Sequence, residues 1–315
     1  MTSGHAAPQS RRRRKTAPAA HIFSGPNTLK MALAAGLEPE ALWATAPVLA
    51  RFASSNFAAQ PNHEGESRNK KARGDTRDKG RSRAKGEASN RAHIRGKETV
   101  DASLRACLTR INTPSTSAEL SARVGHEQHQ GLVFQLSALP HLSLAELSAG
   151  QAPCLVVALD QIQDPHNLGA IARSAWAFGA NALLVTRDHQ APLSDAAMRA
   201  SAGALLRLPV VQVTNLAQSL VTLKDHHFWT LGLSAQGQPL QSASKLRTAA
   251  RRVLVVGNEG QGLRPLTAAR VDMSIALPMA RPIDSLNASV AAACALFWLA
   301  EAHVAAATTL HSAAV

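Results

Sequence analysis

Cysteine is scarce in this sequence: Cys107, Cys154 and Cys294 are odd in number and far apart. That excludes a disulfide framework and offers no zinc-ligand spacing. We read all three as small buried apolar residues in a reducing cytosol. Long hydrophobic runs are missing as well. The longest, ASVAAACALFWLA at 288–300, contains Ser289 and stops at Glu301. It is too short to cross a bilayer and suits a buried helix. The first fifteen residues, MTSGHAAPQSRRRRK, hold no acid and no apolar segment after their charges, so they do not read as a secretory signal. Their arginines loosely fit an organellar transit peptide, but we read a solvated basic tail on a cytoplasmic protein.

What is present is basic charge, unevenly spread. The chain has 315 residues and a formal net charge of +13, of which +11 falls in the first hundred residues. A basic head on a near-neutral body points to a polyanion partner. Apolar residues make up 45% of the chain, enough for a sizeable core and for one large or two modest domains. Residues 1–20 read as disordered. Residues 60–98 hold only Ala and Ile as apolar types and cannot offset the entropy of their own ordering. They read as a flexible basic insertion within a small unit spanning 21–136. In that unit the sequence predicts a helix at 29–36, a strand at 41–45, a helix at 104–111 and a segment near 131–136. A linker follows at 137–152.

From Pro153 the texture changes. Short apolar runs at 155–159, 182–185, 209–213, 228–233, 252–257 and 273–278 alternate with helical patterns near 167–179, 194–202, 215–224, 263–270 and 287–304. Continuous apolar strands separated by helices predict an α/β domain over 153–307, with a parallel sheet covered on both faces and a short tail at 308–315. Ligands of such sheets bind at the carboxyl ends of the strands, so chemistry is sought in the turns that follow them.

Three turns stand out. After LVVAL comes Asp160-Gln-Ile-Gln-Asp164-Pro165-His166-Asn167-Leu-Gly169-Ala170, with Arg173 six residues beyond Asn167. Pro165 stiffens the turn, and Asp164 or Asn167 can cap the helix. The small residues Gly169 and Ala170 let a neighbour approach closely, and free amides at a helix start favour an anion. Asn167 and Arg173 are read as lying nearly two turns apart on roughly neighbouring sides. On its own this segment reads first as a capped surface helix with a merely solvated arginine. After VLVVG comes Gly257-Asn258-Glu259-Gly260-Gln261-Gly262-Leu263. Its glycine order, G-x-x-G-x-G, is not the dinucleotide G-x-G-x-x-G, which disfavours a nicotinamide dehydrogenase. It marks a sharp turn or a backbone in contact with a ligand. The last turn, Leu277-Pro278-Met279-Ala-Arg281-Pro282-Ile283-Asp284-Ser285-Leu286-Asn287-Ala288-Ser289, leads into the final helix, which Ser285 or Asn287 can cap.

Together, and in this order, the three turns resemble those of the SpoU/TrmH-type RNA 2'-O-ribose methyltransferases of the SPOUT class. The resemblance spans about 155–300, with a weaker one over 22–136. There Gly125-His126-Glu-Gln-His129-Gln130-Gly131 looks like the end of a small RNA-binding domain. The resemblance implies a C-terminal trefoil knot, S-adenosylmethionine as cofactor, and a homodimer packed through the knot and the C-terminal helix. Mapped onto this sequence, it implies cofactor binding at Gly257, Asn258, Gly260, Leu277, Met279 and Leu286. It implies catalytic roles for Asn167, Arg173, Glu259, Ser285 and Asn287. Arg173 matches an arginine that holds the target phosphate or assists removal of the 2'-hydroxyl proton; the phosphate role is preferred, since a guanidinium is a poor base, and the general base is left open. Ala288 replaces a frequent valine in the last motif, a small apolar change. The expected substrate is structured RNA: ribosomal RNA first, with a guanosine favoured, and transfer RNA next. Neither a metal nor a membrane is implied. A non-catalytic RNA-binding or ribosome-assembly protein on the same fold is the alternative, and the joint presence of the five catalytic candidates argues against it.

Overall fold

The computed structural model describes residues 21–53, 99–281, 283 and 285–312, with side chains to Ala300. The predicted disorder at 1–20 and the insertion at 60–98 lie outside the described residues. The amino-terminal unit comprises β1 (His21–Ser24), α1 (Pro26–Ala34), β2 (Ala41–Ala44), α2 (Ala46–Ala53), α3 (99–108), α4 (Ser117–Val124) and β3 (Leu132–Leu136). Its three strands form an antiparallel sheet in the order β1-β3-β2. Helix α1 starts three residues earlier than predicted, because Pro26 supplies a preset helical φ directly after Gly25, whose φ is +88°. Helix α4 was missed. Its signal is a capping box in which Thr116 and Glu119 bond each other's backbone amides, closed by Gly125 in the left-handed region.

The predicted linker 137–152 is structured and packs on the larger domain. It holds α5 (Leu144–Ala149), started by a second capping box between Ser143 and Glu146. His141 bridges Val210 in parallel at the sheet edge.

The larger domain continues with β4 (Cys154–Asp160), α6 (Pro165–Ala177), β5 (Ala182–Thr186), α7 (Asp195–Ala200), β6 (Val210–Val213) and α8 (Leu216–Asp225). It ends with β7 (Trp229–Pro239), α9 (Ser244–Arg247), β8 (Arg251–Gly257), α10 (Pro265–Ala268), β9 (Met273–Ala276) and α11 (Ala288–Ser312). The six strands are all parallel, in the order β6-β5-β4-β8-β7-β9. Every residue of β4 is buried. Because side chains alternate across a strand, Leu155, Val157 and Leu159 pack into the face covered by α6, α7 and α11, while Cys154, Val156 and Ala158 pack into the face covered by α8. Each fully buried Leu or Val contributes roughly 1.5–3 kcal/mol of transfer free energy, so the double cover explains why these strands read as unbroken apolar runs.

Three predicted bounds move. Strand β7 runs past 233 to Pro239 through an irregularity between Leu233 and Gln238, where Gly237 lies so close to the Ile275 backbone that a Cβ would sit 2.5 Å from it. Helix α10 has four residues instead of the eight predicted, and α11 continues to Ser312 through most of the predicted tail. Of the cysteines, Cys107 and Cys154 are buried, and burial pushes both thiols up from their ordinary pKa, but Cys294 is exposed. No helix among the described residues is long and apolar enough to cross a membrane.

The order of connections positions the site. From β4 the chain moves outward to β5 and β6, crosses to β7 on the other side and returns to β8 beside β4. The crevice of such a sheet opens at the carboxyl ends of these two central strands. From β9, at the far edge, the chain leads to α11, which packs on α6 and β8.

Candidate active site

Asp160 and Gly257, the last residues of β4 and β8, are register partners, and three loops converge above them. In the first, the Asp164 carboxylate caps α6 by accepting from the His166 amide at 2.8 Å. With the cap supplied by Asp164, the side chain of Asn167 is free for other partners, and it is buried. The close approach anticipated at Gly169 is made by the protein itself. A Cβ there would lie 2.4 Å from the Ala197 carbonyl oxygen and 2.6 Å from the Ala200 Cβ, so the glycine seats α7 against α6 and leaves no room for a ligand.

In the second loop Asn258 and Gly262 exchange backbone hydrogen bonds of 3.1 and 2.8 Å. Gly262 has φ +66°, and a Cβ on Gly257 would sit 2.3 Å from the Gly262 carbonyl carbon. A tight turn therefore accounts for these two glycines. Gly260 differs: the nearest atom to a Cβ there is Asn258 Oδ1 at 3.8 Å, so the position faces open space. The third loop ends at Asn287, whose Oδ1 accepts from the amides of Ser289 at 3.0 Å and Val290 at 3.3 Å. Asn287, not Ser285, caps α11.

The cap fixes the Asn287 amide, because its oxygen must face the helix amides and its nitrogen must face away. That nitrogen donates to Asn167 Oδ1 at 3.1 Å and to Glu259 Oε1. Asn167 Nδ2 donates to the same Glu259 oxygen at 2.8 Å, and the Ala288 amide donates to it at 3.2 Å. One carboxylate oxygen thus gathers groups from all three loops and fixes both asparagine amides. Oε2 of Glu259 accepts no hydrogen bond among the described residues.

Beside this trio lies a cleft of about 710 Å³, within the usual size of a small-molecule site. All six residues implied for the cofactor line it: Gly257, Asn258, Gly260, Leu277, Met279 and Leu286. Glu259 and Ser285 line it too, Ser285 without joining the hydrogen-bonded trio. Arg173 stands apart. It is exposed on α6 and has no hydrogen-bond or ion-pair partner among the described residues. Six residues at 3.6 per turn place two side chains about 120° apart around a helix, so Asn167 faces the buried trio while Arg173, on a neighbouring side, faces solvent.

Sequence reasoning missed two contributors. Leu233, Ser234, Ala235 and Gln236, in the irregular extension of β7, form one wall of the cleft, and a bulge carries no sequence period that reveals it. The other is the fully buried carboxylate of Asp160, which accepts from the Arg264 backbone amide at 2.8 Å and from its Nε at 2.7 Å. Asp160 was quoted within its motif without a role.

Residues 154–297 match the family model described as the SpoU rRNA Methylase family. An uncharacterized tRNA/rRNA methyltransferase of Mycolicibacterium paratuberculosis is 41% identical over 180 residues, 56% of this chain and 57% of that protein. The chain thus spans little more than half the length of that relative. The 23S rRNA (guanosine-2'-O-)-methyltransferase RlmB of Yersinia pestis is 39% identical over 186 residues, 56% of this chain and 73% of RlmB. Among solved structures, the SpoU methyltransferase AviRb of Streptomyces viridochromogenes, in complex with AdoMet, superposes with a TM-score of 0.62 at 18% identity, covering 93% of this chain and 94% of AviRb. A crystal structure of an RNA 2'-O ribose methyltransferase superposes at 0.58 with 19% identity, covering 90% and 89%. These superpositions bear on the fold.

Proposed function

The chain belongs to the SpoU rRNA methylase family, and from that premise we propose that it transfers a methyl group from S-adenosylmethionine to a ribose 2'-hydroxyl of structured RNA. The observation that carries the reading is the meeting of Asn167, Glu259 and Asn287 at the rim of a cleft lined by the backbone of the 257–262 loop. The cleft suits the cofactor: it has ample volume, apolar walls at Leu277, Met279 and Leu286, and open space above Gly260. S-adenosylmethionine supplies the electrophilic sulfonium methyl when bound.

The remaining work falls to the chain. Glu259 holds the two asparagine amides in one orientation, so that they can position the ribose. Orientation of this kind accounts for most of the rate such a transfer requires, with proton removal assisting. Ser285, on the cleft wall, is assigned to the methyl donor side. Arg173, a solvent-facing guanidinium, suits a phosphate of the RNA backbone.

Ribosomal RNA, with a guanosine as target, is the favoured substrate, and the activity of RlmB supports that order over transfer RNA. We assign residues 21–136 to RNA binding and residues 153–307 to methyl transfer. A homodimer through α11 is assigned on the exposure of Val290 and Phe297, with Trp176 of the neighbouring α6 also exposed.

The test is methyl transfer from labelled S-adenosylmethionine into ribosomal and transfer RNA lacking native modifications, followed by nucleoside analysis. A 2'-O-methyl nucleoside in one pool, lost in Arg173→Ala, is expected. Cofactor binding without transfer to either RNA, free or assembled, would favour the binding-only alternative.

A further inference from the structure

Asp160 is the last residue of β4 and is fully buried. A buried carboxylate is strongly destabilising unless its charge and lone pairs are met. Here both oxygens are met by one residue: Oδ2 by the Arg264 amide and Oδ1 by Arg264 Nε. Arg264 is the first residue after the Gly257–Leu263 loop. The other end of that loop is tied to the same place, because Asn258 Nδ2 donates to the carbonyl of Gln161 at 3.0 Å. Both feet of the loop are therefore fastened to residues 160 and 161. Glu259 sits between the feet, and its partner Asn167 lies on α6, six residues beyond Gln161. The path Asp160–α6–Asn167–Glu259–loop–Arg264–Asp160 closes into a ring.

We propose that Asp160 and Arg264 are positioning residues for methyl transfer: their ion pair sets where the 257–263 loop stands, and hence where Glu259 meets Asn167 and Asn287. The proposal rests on the reaction assigned above. Neither residue lines the cleft or hydrogen-bonds to the trio, so the pair's effect on the reaction passes through the loop that carries Glu259. The Arg264 side chain is partly exposed, at 40%, which makes its truncation mild for packing while withdrawing one of the two donors from a buried charge. In Asp160→Asn the NH2 that replaces one oxygen must face one of the two Arg264 donors, so this variant removes the charge and one of the two bonds from the other end.

Two measurements on the full chain test this. The first is hydrogen exchange of the loop amides, which needs no reaction. Arg264→Ala is expected to speed exchange at Gly262 about tenfold, and an unchanged loop overturns the proposal. The second is a double-mutant cycle on single-turnover methyl transfer at saturating RNA and cofactor. Arg264→Ala alone is expected to slow transfer at least about tenfold, Arg264→Lys to restore part of the rate, and Arg264→Ala to add less than about twofold in the Glu259→Gln background. Equal losses in both backgrounds would assign the pair to stability alone and overturn its positioning role. Should Arg264→Ala not fold, Asp160→Asn and Arg264→Lys carry both measurements. A wild-type chain without transfer would sink the assigned reaction, and the exchange result would still decide the clamp.

Discussion

The carboxylate of Asp195, at the start of α7, accepts from the Ser24 amide at 2.9 Å and from the Ser24 hydroxyl at 2.6 Å, across 171 positions of sequence. His126 Nε2 lies 2.8 Å from the same carboxylate, and Arg199 pairs with it from one turn further along α7. The amino-terminal sheet, the 125–131 loop and the larger domain are thus pinned at one buried acid. Because α7 is in turn seated against α6 at Gly169, the pin lies one helix away from Asn167.

Asp195→Ala would leave a buried amide, a hydroxyl and an imidazole without their acceptor. A destabilisation of about 3 kcal/mol is expected from such a loss, against about 1 kcal/mol for Ser24→Ala. Urea unfolding followed by tryptophan fluorescence measures both. Equal, small effects would mean that the two units are held by apolar contact alone.

Gly169→Ala forces a methyl group into the Ala197 carbonyl. Overpacking of this kind costs roughly 1–3 kcal/mol, and the relief available is a shift of α6 away from α7, which moves Asn167. Lower thermal stability together with slower methyl transfer is expected. A variant of normal melting temperature and normal rate would contradict the packing described.

Asp272 gives a pH dependence. Burial raises its pKa, but hydrogen bonds from Lys224 and from the Thr230 amide and hydroxyl prevail, and the net shift is downward. A depressed folded pKa contributes stability above the unfolded value that is lost as pH falls through the folded one. Asp272→Asn is therefore expected to be less stable than wild type by about 1 kcal/mol at pH 7 and pH 5, a figure kept small because Lys224 is partly exposed. The gap narrows only below the ordinary carboxylate value of 3.8. A gap that closes between pH 7 and pH 5 would point to another group.

Gly260 separates folding from ligand binding. Its Cβ position is open, so Gly260→Val should leave the melting temperature nearly unchanged while projecting into the cleft. Loss of S-adenosylmethionine affinity by about tenfold, or 1.4 kcal/mol, is expected by calorimetry. Unchanged affinity would move the cofactor elsewhere. Gly257→Ala is the control, since it collides with Gly262 and should destabilise the fold itself.

The alternation of apolar strands and helices carried most of the larger domain, because strands buried on both faces leave continuous runs that nothing else in the chain imitates. The three turns were legible for a related reason: Pro165, Gly257 and Gly262, and the asparagine before α11 are each residue types that a backbone feature demands. The helices at 117–124 and 144–149 were passed over although Thr116-x-x-Glu119 and Ser143-x-x-Glu146 announce them. The bulged end of β7 had no such signal, because its path follows from the approach of Gly237 to β9.

The sequence by itself determined the parallel sheet, the position of the loops and the residue types available in them, since these follow from local periodicity and turn chemistry. Tertiary structure alone decided which of those residues meet. Three loops distant in sequence converge on Glu259 because the order of connections brings β4 and β8 together, and a hydrogen bond between Asn287 and Asn167 across 120 positions has no local cause. The same holds for Gly169, whose meaning depends on a helix that packs against it, and for Arg173, whose exposure follows from the side of α6 that the core claimed.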